Sequence, residues 1–285
     1  MFKNILIPIS SEYYSKDVLT RGAFFAKHFN SEINLVYIIE EKTLDQTDKR
    51  SDSYRTSQEI AETKNEIIKK QKQAADSIIF TDAKLLLKNK KIPFEEKILQ
   101  GEFSNVIINE INKKNYELVL IGFEKECILN YRLLDEIKIP VWIEGKGDTQ
   151  KILAVCSNLA PNQKVPEMSI QLSKKLRWDL HMLYVVDIED SVQVDEQGIR
   201  SEKKPERDLL FTGQNFIEEM NSQGIKTELV KGSLEKETIK TAEQINANLI
   251  IVGREQKKRG ILGIPVKHVK RKIAEKCKYS ILFIN

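Results

Sequence analysis

The sequence predicts an α/β protein made of two tandem, five-stranded, parallel, doubly wound domains. Three observations predict it. The chain repeats itself once, short apolar strand-like runs alternate with helical stretches, and those runs lack the polar–apolar alternation of a half-exposed sheet.

The repeat is read from paired segments. Lys3 to Ser10 is KNILIPIS and Lys151 to Ser157 is KILAVCS; Glu32 to Glu40 is EINLVYIIE and Asp179 to Asp187 is DLHMLYVVD. Ile5 and Ile152 are 147 positions apart, as are Tyr37 and Tyr184. Further on, Ile98 to Gly101 matches Leu229 to Gly232, and Leu118 to Gly122 matches Leu249 to Gly253, each 131 apart. The last strands, Pro140 to Glu144 and Ser280 to Ile284, are 140 apart. The first copy therefore carries 16 more residues between its second and third strands, and the second copy 9 more between its fourth and fifth. Two insertions account for all the drift.

Between the strands, Ser15 to Phe29 has helical spacing at Val18, Ala23, Phe24 and Ala26, and His28 closes that helix, where its partial charge suits the C-terminal dipole. Ser104 precedes Val106, Ile107, Ile108 and Ile111 and is expected to cap a helix; Ser233 is expected to cap another that carries Ile239, Ala242 and Ile245. Strands separated by helices imply parallel pairing with right-handed crossovers, and unbroken Val/Ile/Leu runs imply a sheet covered on both faces.

The first domain is placed at 1–146 and the second at 150–285, with the polar Gly145 to Gln150 (GKGDTQ) as linker. The extra segment, about 41–73, is polar and mixed in charge, and leads into a long helix through Leu87. It reads as a solvated excursion or a partner-specific arm.

Composition limits the function. Of 285 residues 41% are hydrophobic and 31% charged, with a net charge of only +4, which argues against a dedicated nucleic-acid binder. Cys127, Cys156 and Cys277 form no CxxC pair, and His28, His181 and His268 show no metal spacing, so no metal site is expected. There is no signal-peptide pattern and no apolar run near the roughly 20 residues that span a bilayer, so a cytoplasmic protein with no membrane partner is expected.

Lys231 to Gly253 (KGSLEKETIKTAEQINANLIIVG) resembles the core of the universal stress protein family: a glycine ends strand three, a helix with Ile/Ala spacing follows, and an apolar strand ends in glycine. Gln100 to Gly122 repeats the pattern, and the resemblance covers nearly the whole chain. It implies a Rossmann-like, adenine-nucleotide alpha-hydrolase-like fold. It also implies pairing through last strands, either between the two domains or in a homodimer. Many members bind ATP. They use an Asp after strand one, backbone of strand two, and a loop G-x2-G-x9-G-[ST] after strand four. Such a place is physically sensible, because ligands of open α/β sheets sit beyond the strand carboxyl ends.

Set against that pattern, both copies depart. Ser10 and Ser157 stand where the Asp is expected, and after Gly122 no glycine appears before the last strand of the first copy, while Glu124 and Glu126 would repel phosphate. The second copy is the candidate for ATP or AMP. The resemblance assigns it Cys156, Ser157, Val185 and Gly253. After these come Arg254, Gly260, Gly263, Lys267 and His268 in a basic run that continues through Lys270, Arg271 and Lys272. One alignment puts Lys267-His268 at the Gly-[ST] pair, and another puts Gly263 at the final glycine. Pro265 fits a helix starting near Ile264. Side-chain charge would then replace a glycine cradle, or the run is a solvated helix face.

Three functions remain. One is a non-enzymatic stress-response protein sensing a nucleotide or phosphate-bearing ligand. Another is a non-binding interaction scaffold with an unidentified protein partner, its two domains forming a pseudo-dimer. The least supported is an enzyme of a related nucleotide-binding class. Residues 8–15 (PISSEYYS) hold no glycine for a pyrophosphate loop, and no Ser/His/Asp or Cys/His arrangement is present to argue from.

Overall fold

The computed structural model describes residues 1–10, 15–40, 56–122, 131–160, 162–195, 201–253 and 269–284. They form two compact units, Met1–Leu133 and Leu134–Asn285.

In the first unit, β1 (Asn4–Ile9) leads to α1 (Lys16–Phe29) and β2 (Glu32–Glu40). There follow α2 (Ser57–Ala74), a π-helical stretch (Ala75–Phe80), α3 (Thr81–Lys88), β3 (Phe94–Gly101), α4 (Phe103–Lys113) and β4 (Leu118–Gly122). The strands run parallel in the order β3-β2-β1-β4. Every residue of β4, and all but the first of β1 and β2, is buried, which explains why their sequences do not alternate. The charged β3 lies at the edge and is half exposed.

Helix α1 begins where the Ser15 Oγ accepts from the Asp17 N–H, and Asp17 suits the positive end of the helix. Its apolar stripe of Val18, Leu19, Ala23, Phe25 and Phe29 is buried. Gly22 lets the helix close on the sheet, because a Cβ there would collide with Ile7. The capping box of Thr56 and Glu59 starts α2. The expected long helix through Leu87 is present but is interrupted by the π-helical stretch, which buries Ala75, Ile79 and Phe80.

Ser104 is not the cap the sequence predicts. The cap is Glu102, in extended backbone, whose carboxylate accepts from the N–H groups of Ser104 and Asn105 at 3.1 and 2.8 Å. A carboxylate satisfies two orphan donors with charge assistance, which one hydroxyl cannot match. Ser104 is instead buried inside the first turn, and its Oγ has no hydrogen-bond partner.

A short helix, α5 (Tyr131–Glu136), crosses the division between the units. The second unit then contains β5 (Val141–Glu144), β6 (Lys151–Ser157), α6 (Lys164–Leu176), β7 (Asp179–Asp187) and α7 (Glu206–Ser222). It ends with β8 (Thr227–Gly232), α8 (Leu234–Ile245), β9 (Leu249–Gly253), α9 (Val269–Lys276) and β10 (Ser280–Ile284). The order is β5-β10-β9-β6-β7-β8. All neighbours pair parallel except β5 and β10, which run antiparallel with Trp142 opposite Leu282. The sequence predicts only parallel pairs. The last strand of the first copy lies here beside the last strand of the second, and each apolar edge covers the other.

Candidate functional site

Strand order in the second unit reverses at β6, with β7 and β8 on one side and β9 and β10 on the other. The crevice beyond the carboxyl ends at such a switch is the natural ligand position. Cys156 and Ser157 end β6, Val185 is the register partner of Ser157 on β7, and Gly253 ends the neighbouring β9. These four predicted residues are thus brought to one edge. Arg254, Gly260, Gly263, Lys267 and His268 lie outside the described residues, as do Glu124, Glu126, Cys127, Pro265 and residues 41–55 of the insertion.

Ser157 is buried and closes a tight local turn. Its N–H donates to Asn162 Oδ1 at 3.0 Å, its carbonyl accepts from Asn162 Nδ2 at 2.9 Å, and its Oγ accepts from the Leu159 N–H at 3.1 Å. Beneath it, burial pushes the Tyr184 phenol far above its usual range, and the neighbouring Cys156 thiol adds to the shift.

Two residues that sequence reasoning missed dominate this edge. Asn158 Nδ2 donates to the carbonyls of Val192, Asp187 and Asp190, and its Oδ1 accepts from the Asp187 N–H at 2.7 Å. Asp187, only 3% exposed, accepts with Oδ1 from the N–H groups of Glu189 and Asp190 and with Oδ2 from the N–H of Leu234. Leu234 is the first residue of α8, so the cap comes from β7; Ser233 holds the N-cap position but contributes no side-chain hydrogen bond. A helix N-terminus attracts anions, and here the chain supplies its own. A signal was present in the sequence: both copies end strand two in a carboxylate, Glu40 and Asp187, 147 positions apart.

The first unit uses its pair differently. Ser10 Oγ donates to Glu40 Oε1 at 2.7 Å, with both residues buried. Serine at the end of strand one and carboxylate at the end of strand two are therefore shared, while the hydrogen bonds they make are not.

Part of the basic run is also accounted for. Glu235, on α8, is buried and sits 3.5 Å from the Lys272 ammonium and 2.5 Å from that of Lys276, both on α9. Lys272 thus docks α9 on α8. His181, in β7, lies 3.5 Å from Glu228. Among the described residues no group of three or more His, Cys, Asp or Glu is placed to hold a metal, and no helix is long and apolar enough to cross a membrane.

The model of the universal stress protein family matches residues 1–135 and again 149–285. The chain belongs to the universal stress protein family. Solved structures agree on the fold. A universal stress protein from Archaeoglobus fulgidus DSM 4304 matches with a TM-score of 0.67 at 17% identity, over 99% of this chain and 96% of that one. A protein of Pseudomonas aeruginosa UCBPP-PA14, also assigned to the universal stress proteins, matches with a TM-score of 0.67 at 12% identity, over 99% and 93%. A functionally unknown protein of Pseudomonas aeruginosa PAO1 gives 0.60 at 12% identity, over 99% and 92%. No match is found among the curated proteins. The universal stress fold thus occurs twice in this chain, as a tandem stress-response protein.

Proposed function

We propose that this tandem universal stress protein is a cytoplasmic, non-enzymatic interaction scaffold whose two domains, 1–146 and 150–285, form a pseudo-dimer joined through their last strands. The observation that carries the reading is Ser157. It ends β6 where the family's ATP binders place an Asp, and its N–H, carbonyl and Oγ are taken up inside the chain by Asn162 and the Leu159 N–H. The antiparallel pairing of β5 with β10 supports the pseudo-dimer.

A second reading rests on a separate observation. Cys156, Ser157, Val185 and Gly253 converge on one strand edge, and the basic run begins directly after Gly253. In this reading ATP, AMP or another phosphate-bearing ligand is held by Arg254, Lys267 and His268 around Gly260 and Gly263. Calorimetric titration of the intact protein with ATP and AMP separates the two. The scaffold reading expects no heat of binding. Saturable binding that disappears in a Lys267→Gln/Arg271→Gln variant overturns it in favour of the ligand sensor.

A further inference from the structure

The edge of the first unit opposite Ser10 and Glu40 carries a groove of about 710 Å3. It lies where α1 runs out before β2 and where α3 turns into β3. Its floor includes Ala23, Phe24 and Pro93, and each of its ionisable lining residues is basic: Lys27, His28, Lys90 and Lys91. Phe24 contributes an aromatic ring, with the Arg21 guanidinium 5.1 Å from its ring centroid and the His28 ring 4.2 Å away at 37°. His28 Nδ1 is fixed 2.9 Å from the Phe24 carbonyl.

The turn that supplies Lys90 and Lys91 has a counterpart in the second unit. After α3, the N–H groups of Lys90 and Ile92 donate to Leu87 and that of Lys91 to Lys88; after α7, Gln223 and Ile225 donate to Met220 and Gly224 to Asn221. The two turns make the same three hydrogen bonds, a Schellman-type helix end that calls for a left-handed residue. The second copy places Gly224 there, at φ 75°, and the first copy places Lys91, at φ 54°. Glycine adopts this backbone without penalty and lysine does not. Lys91 holds this left-handed position, as Arg177 does after α6 at φ 58°, and its side chain lines the groove.

We propose that this groove binds a small amphipathic organic anion, an aromatic ring system bearing one carboxylate, sulfonate or phosphate. The ring packs on Phe24 and Pro93, and Lys91, with Lys27 and Lys90, meets the charge. The volume lies within the range of small-molecule sites. The groove between α6 and α7 in the second unit, about 510 Å3, has Glu167 and Glu219 as its charged lining residues and repels such a ligand. Nothing here depends on the strand-edge function proposed above, so either can fail alone.

The test titrates the full chain with two fluorescent probes that share a ring system, anilinonaphthalene sulfonate and uncharged N-phenylnaphthylamine. The wild type is expected to bind the sulfonate saturably. Lys91→Gly is expected to weaken that binding about fivefold, the size of one surface charge contact. It should leave the uncharged probe unaffected and melt at the same or a higher temperature, because glycine suits the turn. A Lys27→Glu/Lys90→Glu variant should weaken the sulfonate further. Three results overturn the proposal: no saturation in the wild type, sulfonate binding indifferent to Lys91→Gly, or a lower melting temperature accompanying its loss.

Discussion

The carboxylate of Asp187 accepts the backbone N–H of Leu234 at 2.8 Å, so the end of β7 caps the start of α8 across 47 residues of chain. The same carboxylate folds the following loop by accepting from Glu189 and Asp190. One buried charge therefore fixes a helix, a strand end and a loop at the edge where ligands of this fold class bind.

Removing that charge tests how much the edge depends on it. Asp187→Ala leaves three N–H groups without their acceptor, that of Leu234 buried and those of Glu189 and Asp190 part-buried, and is expected to cost about 2–4 kcal/mol in urea unfolding. Asp187→Asn keeps one acceptor oxygen and should cost less.

Glu102 and Ser104 give a sharper contrast. Glu102→Ala removes the α4 cap and is expected to cost about 1 kcal/mol. Ser104→Ala removes a buried hydroxyl with no hydrogen-bond partner and is expected to be neutral or stabilising. Thermal unfolding of the two variants decides between them, and a destabilised Ser104→Ala would restore serine as the cap.

Three buried tyrosines make stability sensitive to alkali. Burial pushes the Tyr116 phenol up to about 12, helped by Glu110, Glu95 and Glu32; burial and then Glu40 raise Tyr37, and burial raises Tyr184 further still. A phenol raised in the folded state contributes stability that is fully present below about pH 10, the unfolded value. That contribution is lost as pH rises through the folded value. Absorbance titration should therefore show a tyrosine fraction that ionises only near or after alkaline unfolding. Tyr116→Phe should flatten the loss of stability between about pH 10 and 12.

The fold was legible because its signals are local and doubled. The paired Ile5/Ile152 and Tyr37/Tyr184 and the glycines closing β4 and β9 mark strands that burial on both faces makes uniformly apolar. The edge chemistry was legible only in part. Ser157 was found because a family position is empty of Asp, but its partners Asn162 and Leu159 are set by a turn that no periodicity reports. Asp187 was visible as a repeated carboxylate, yet its role needs Leu234, which tertiary packing alone brings to it. The antiparallel β5 was hidden for the same reason: an apolar VWIE run fits either direction of pairing.

That strand offers the last test. Trp142 is fully buried in β5, opposite Leu282 of β10, and its Nε1 donates to Glu144 Oε2 at 2.7 Å. Trp142→Ala removes the largest fully buried side chain among the described residues and is expected to cost about 3–5 kcal/mol. Trp142→Phe keeps most of the apolar area, loses the indole donor, and should cost distinctly less. The location of the damage is the more telling readout. If β5 of the first copy completes the edge of the second unit, hydrogen exchange in Trp142→Ala should accelerate at Ile281 to Phe283. Unchanged exchange at Ile281 to Phe283 would remove the basis for a strand-paired pseudo-dimer.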